Sequence, residues 1–177
     1  MQQPTPTTGA APRLRRAVTA DHAALAALWK RSVVATHHFL TPQAVDELYT
    51  AILREYLPGV EELWVAEYEP SSPEALGPNV PDPDTLRPVG FMGCNWPQIE
   101  MLFVEPECFG LGIGKMLLGH AQQRAMAESA TLTLDVNEQN PAALAFYEHM
   151  GFVVTGRSPV DGQGRPYPLL HMEWRRP

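Results

Sequence analysis

Two cysteines, Cys94 and Cys108, are all that the 177 residues contain. Nothing in their spacing suggests a disulfide framework or a metal site. His22, His120, His149 and His171 show no metal-ligand spacing either, so no metal is expected. Cations are scarce as well. Thirteen Lys and Arg against 20 Asp and Glu give a formal net charge of −7. That balance argues against a non-specific nucleic-acid binder and mildly favours a cationic amine or a lysine-bearing partner. No apolar run approaches the roughly 20 residues that cross a bilayer. The N-terminus lacks a charged start followed by an apolar core, so no signal peptide is expected. A reduced, cytoplasmic setting is the default that follows. What the chain does have is 45% hydrophobic content, enough for one domain with a sizeable core.

Residues 1–12, MQQPTPTTGAAP, lack hydrophobic periodicity and read as a disordered tail before a single domain over 13–177. A first strand is expected over 13–18. Thr19 through Asp21 carry helix-capping chemistry, and Leu25, Leu28, Trp29 and Val33 recur at helical spacing. Thr41-Pro42 opens a second helix, which Pro58-Gly59 ends. LWVAEY (63–68) reads as strand two and PVGFMGCNW as strand three. The proline-rich stretch 69–88 between them reads as a loop insertion in a hairpin. Strand four spans about 98–105. A helix to about residue 128, a strand TLTLDV, a helix ending at Gly151, a strand FVVTG and a strand near 167–174 complete the chain. The order β-α-α-β-β-β-α-β-α-β-β is a mixed α/β layout.

The stretch VEPECFGLGIGKMLLG, residues 104–119, is the most informative. An apolar strand runs into a turn with Gly110, Gly112 and Gly114, and an apolar helical pattern starts at once. Such a turn offers bare backbone N–H groups at a helix N-terminus to an anion. Glycine permits positive φ and a close approach of the ligand to the main chain. A phosphate-bearing cofactor is therefore expected, and nucleotides are disfavoured by what the turn lacks. A P-loop needs Ser or Thr after its Gly-Lys, and here Met116 follows Lys115. A Rossmann fingerprint needs unevenly spaced glycines in the first βα unit. These are evenly spaced and lie past mid-chain.

NEQNPAALAFYEHMGF, residues 137–152, supplies a second motif. The spacing of Asn140, Ala143, Tyr147, Glu148 and Gly151-Phe152 resembles the second signature of the GNAT superfamily of acyl-CoA-dependent N-acetyltransferases. The glycine turn resembles that family's CoA pyrophosphate loop. With ATHHFL, VNEQN and TGRSPVDGQGRPYPLL, the chain from residue 13 onward is similar to the small bacterial YjaB-type branch, described as protein-lysine acetyltransferases. One position departs from the pattern. Phe109 stands where the loop has Arg or Gln, which leaves Lys115 the only cation in the turn. Backbone N–H groups and the helix dipole must then carry the pyrophosphate.

The resemblance implies a GNAT-like α/β fold, with a mixed sheet whose fourth and fifth strands splay to admit the pantetheine arm. It implies acetyl transfer from acetyl-CoA to a primary amine, either a protein lysine or a small amine. Leu102, Phe103 and Val104 would bond the arm. Phe109, Gly110, Leu111, Gly112, Ile113, Gly114 and Lys115 would hold the pyrophosphate. Asn140 would reach the cofactor while serving as helix cap ahead of Pro141. Tyr147 lies seven residues on, about two turns and so on the same face. It is the candidate general acid for the departing thiolate. Glu100 shares a strand face with Gln98 and Leu102 by period-two counting, and is either the general base or a solvated edge residue. His37 and His38, in the turn between the first two helices, are candidates for binding the acceptor or relaying a proton. Monomer and homodimer both fit. A non-catalytic acyl-CoA sensor is the alternative that Phe109 keeps open.

Overall fold

The computed structural model describes residues 12–68 and 87–176. The expected tail and most of the proline-rich insertion lie outside the described residues. The element order is β1 (Arg13–Arg16), α1 (His22–Thr36), α2 (Pro42–Ala51), a π-helical turn (Ile52–Tyr56), α3 (Leu57–Gly59), β2 (Glu62–Tyr68), β3 (Arg87–Asn95), β4 (Gln98–Val104), α4 (Ile113–Glu128), β5 (Thr133–Asn137), α5 (Pro141–His149), β6 (Phe152–Ser158) and β7 (Leu169–Trp174). This is the expected order. β1 stops two residues early, at Arg16, and β5 starts two residues late, at Thr133.

The seven strands form one sheet in the order β1-β2-β3-β4-β5-β7-β6. All neighbours are antiparallel except β4 and β5. That one parallel pair is short. Only Gln98 meets Thr133 and Ile99 meets Leu134. Beyond Ile99, β4 keeps its bonds to β3 as far as Val104, while β5 keeps its bonds to β7 as far as Asn137. The sheet therefore opens along its middle, with two unpaired edges facing each other.

Helices sit on both faces of the β2–β3–β4 half. Leu25, Leu28, Trp29 and Val33 of α1 pack with Val65, Phe91 and Met101 on one face. Ile113, Leu117, Leu118 and Ala121 of α4 pack with Met92 and Val136 on the other. Each Leu, Ile, Val, Met or Phe side chain so buried contributes about 1.5–3 kcal/mol. Gly90 lets α4 come this close, since a Cβ there would lie 2.8 Å from Ile113 Cγ2 and 3.1 Å from the Phe103 carbonyl oxygen. β1 is held at the sheet edge by charge. Arg15 donates to Asp21 (2.7 Å) and to the buried Glu67 (2.7 Å), tying β1 to β2 and to the approach to α1.

Candidate active site

The opening between β4 and β5 continues into a cleft of about 580 Å³. Its walls are β4, β5, the glycine turn, the start of α4, α5 and the last turn of α1. Among the expected site residues, Glu100, Leu102, Phe103, Val104, Phe109, Gly110, Gly112, Ile113, Gly114, Lys115, Asn140, Tyr147 and His37 all line it. Leu111 and His38 do not. Leu111 is 62% exposed on the outside of the turn, and His38 is half-buried.

The turn has the geometry an anion needs. Gly110 and Gly112 hold φ of +78° and +81°, a region costly for other residues. Gly112 is also the N-cap of α4. A Cβ on either glycine would meet nothing within 4 Å, so the space beside the bare backbone is open. Gly114 serves packing, because its Cβ would press on Phe146 at 3.2 Å. Among the described residues Lys115 is the one cationic side chain lining the cleft. The exposed Phe109 ring lines it too, half open to solvent. The root of the turn is anchored through Glu105, which is 5% exposed. Arg31 of α1 donates to both its oxygens, at 2.8 and 2.7 Å. Such bidentate pairs fix orientation as well as distance.

On α5, Asn140 caps the helix, with Oδ1 accepting from the Ala143 N–H at 3.1 Å. Its amide NH₂ has no partner among the described residues and remains available to a ligand. Tyr147 is 8% exposed, the one fully buried residue of α5. Burial pushes its phenol up to about 12, so the hydroxyl stays protonated at neutral pH. That hydroxyl has no hydrogen-bond partner among the described residues. It is not sealed away, since no buried side-chain oxygen or nitrogen there lacks a partner.

Glu100 departs from the period-two count. Gly93 pairs with Met101 and Cys94 with Ile99, so Glu100 is the extra residue of a β-bulge. Across the bulge Ile99 and Leu102 pack on the α4 face, while Met101 and Phe103 pack on the α1 face. Glu100 therefore does not simply share the side of Leu102. It stands out from the strand at the mouth of the cleft, exposed, with one oxygen taking a 3.2 Å bond from Asn95 Nδ2.

On the opposite wall Thr36 donates its hydroxyl hydrogen to the Ser32 carbonyl (2.7 Å), and His37 Nδ1 lies 2.8 Å from the same Thr36 oxygen. Burial first, and the His38 charge second, lower His37 to about 4. Ser32, Thr36, Asp135, Ala142 and Phe146 also line the cleft. Sequence reasoning missed them, because each is an ordinary helix or strand residue until the sheet opens beside it. Asp135 further joins a polar chain across the sheet, to His171 Nδ1 at 2.6 Å and on from Nε2 to Ser158 Oγ at 2.8 Å. Ser158 lies outside the cleft. Both cysteines are free and buried, and Cys108, which lines the cleft, has its thiol pushed up by burial. Among the described residues no three His, Cys, Asp or Glu side chains converge as a metal site. No helix there is long and apolar enough to cross a membrane.

An opened parallel strand pair above a glycine turn can be matched to known proteins, and the family model of the acetyltransferase (GNAT) family fits residues 45–152. The chain belongs to the GNAT family. This acetyltransferase is 43% identical to the peptidyl-lysine N-acetyltransferase YjaB of Salmonella typhimurium, over 90% of this chain and 95% of the relative. It is 38% identical to YjaB of Escherichia coli K12, over 91% and 95%. The solution structure of apo-form E. coli YjaB superposes with a TM-score of 0.74, at 38% identity over 93% of this chain and 98% of that one. The acetyltransferase thus uses acetyl-CoA as its cosubstrate. The residues present fit it: open main chain at the start of α4, and two unpaired strand edges between which an extended amide-bearing arm can bond.

Proposed function

We propose that this acetyltransferase moves the acetyl group of acetyl-CoA directly onto a primary amine, with the side chain of a protein lysine as the acceptor. The lysine assignment rests on the 43% and 38% identity to relatives named for that acceptor. The mechanism rests on one observation: a protonated, otherwise unpartnered Tyr147 lines the cleft across from the free edge of β4.

In this reading the pyrophosphate sits on the N–H groups of the turn and the first turn of α4. Leu102, Phe103 and Val104 bond the pantetheine arm through their free edge. A main-chain N–H near the bulge polarises the thioester carbonyl, a role worth about 3 kcal/mol in other enzymes. The amine nitrogen forms a bond to the carbonyl carbon, the C–S bond breaks, and the thiolate takes the Tyr147 proton. Burial raises the proton affinity of the thiolate as it does that of the phenol beside it, which keeps the transfer within reach. Glu100, with one oxygen unpartnered among the described residues, takes the proton from the amine directly or through a water. Direct attack is favoured over an acetylated enzyme because the cleft's cysteine is held as a neutral thiol.

The test combines calorimetric titration of acetyl-CoA, with ATP as control, and a mass-spectrometric assay on lysine peptides and on spermidine. Saturable acetyl-CoA binding together with acetylated peptide supports the reading. Acetylation of spermidine alone would replace the protein acceptor by a small one. Binding without transfer to any amine would leave a sensor.

A further inference from the structure

The protonation pattern of the α1 wall follows from hydrogen counting. A threonine hydroxyl has one hydrogen to give. That of Thr36 goes to the Ser32 carbonyl four residues back. At 2.8 Å from the same oxygen, His37 Nδ1 can only be the donor. The neutral imidazole then carries its hydrogen on Nδ1 and leaves Nε2 a bare lone pair. Among the described residues Nε2 has no partner, yet no buried side-chain nitrogen there lacks one, so Nε2 is reachable by solvent, and His37 lines the cleft. The ring is also fixed in plane. Phe39 lies against it at 5.4 Å between centroids and Phe103 at 6.4 Å, and Phe39 is backed in turn by Tyr167 at 5.9 Å. Phe103 belongs to the strand whose free edge faces the cosubstrate.

We infer that His37 Nε2 is the hydrogen-bond acceptor that holds the incoming amine, and that Thr36 is the positioning residue that keeps this nitrogen unprotonated. The inference rests on the acetyltransferase reading and adds the docking point for the nucleophile. A neutral acceptor suits the task. It takes one N–H of the amine without trapping the nitrogen in an ion pair, so the lone pair stays free to attack. The burial that holds the ring uncharged also prevents repulsion of a cationic acceptor. The aromatic backing of Phe39 and Tyr167 suits an amine carried on an alkyl stem.

Two experiments on the full chain test this. In ¹⁵N NMR of histidine-labelled protein, His37 should show a protonated Nδ1 and a bare Nε2. Adding n-butylamine to the CoA-saturated protein should move the Nε2 resonance. Kinetically, His37→Leu should raise KM for a lysine peptide by about 3- to 10-fold, the worth of one hydrogen bond, with KM for acetyl-CoA unchanged. His37→Gln, which keeps an acceptor at the same reach, should recover most of this. Thr36→Val should raise the peptide KM and shift the NMR pattern toward a mixed tautomer, and Thr36→Ser should restore both. A proton on Nε2 in the resting protein, or equal peptide KM in His37→Leu and His37→Gln, overturns the inference. If no peptide is acetylated but butylamine still moves a bare Nε2, the docking point stands and the lysine-acceptor reading falls.

Discussion

The two halves of the sheet are built differently. β2, β3 and β4 are covered on both faces, and β3 is buried continuously from Val89 to Cys94. Among the described residues, β5, β7 and β6 are covered on one face only. Their other face exposes Asp135 and His171, with side chains 38% and 39% accessible, and Val153 at 39%. The burial of β7 alternates strictly, as expected of a strand with one wet side. The sealed half is scaffold. The open half is a surface on which side chains can change without disturbing the core, and its strand β5 borders the cleft. The cleft is the seam between the two, and its lining residues are drawn from both.

The comparison can be broken first at the seam. Tyr147→Phe should lower kcat by 10²-fold or more, the usual scale for loss of a general acid, with acetyl-CoA affinity unchanged by calorimetry. A kcat within threefold of the parent would remove Tyr147 from the chemistry. The next largest effect is also at the seam. His37 is lowered from its ordinary 6.5 to about 4, so the unfolded chain binds its proton more readily in that window. Stability is then fully present above pH 6.5 and is lost as pH falls toward 4, by about 3 kcal/mol at most. Urea unfolding at pH 7 and 4.5 should show a smaller difference for His37→Gln than for the parent. An identical difference would mean that His37 charges freely in the folded protein.

Within the sealed half, Gly90→Ala should cost about 1–3 kcal/mol through overpacking against Ile113 and the Phe103 carbonyl. It should also move α4 and weaken acetyl-CoA binding. Within the open half, Val153→Thr should stay within about 0.5 kcal/mol. Thermal unfolding of both variants sharpens the contrast. A Val153 variant as damaging as the Gly90 variant would show that the second face of β5–β7–β6 is covered after all.

The same division explains what could be read from the chain. Element order was legible throughout, because Thr41-Pro42, Asn140-Pro141 and Gly151 mark helix ends by local chemistry. The glycine turn was legible because positive φ at Gly110 and Gly112 demands a residue type. Asn140 was legible as a helix cap, and because the cap uses only Oδ1 its amide NH₂ stays available for the cofactor role proposed for it. Glu100 was misplaced because a bulge is a matter of pairing between β3 and β4, and pairing leaves no mark in the β4 sequence alone. Thr36, Asp135 and Phe146 were invisible for a related reason: they become site residues only when β4 and β5 part. Phe146 had one trace, the third glycine, Gly114, which clears room for it. His37 and His38 look alike in sequence, and only the Thr36 hydroxyl and the flanking rings distinguish them.

The glycine turn has one more consequence. In the proposed reading its attraction for an anion comes from main-chain dipoles at the start of α4 and, among the described residues, from Lys115 as the single cationic side chain lining the cleft. Residues 109–112 are exposed, so mobile ions reach this site. They neutralise exposed charges over a Debye length of about 10 Å at 0.1 M and about 3 Å at 1 M, and they screen a helix dipole as well. Acetyl-CoA affinity should therefore fall between about 0.1 and 1 M sodium chloride, and fall less steeply in Lys115→Met, which has one cation fewer to screen. Titrations that came out flat across that range would place the cosubstrate's phosphates away from the turn. A sloping one describes a protein whose hold on its cosubstrate follows the ionic strength around it.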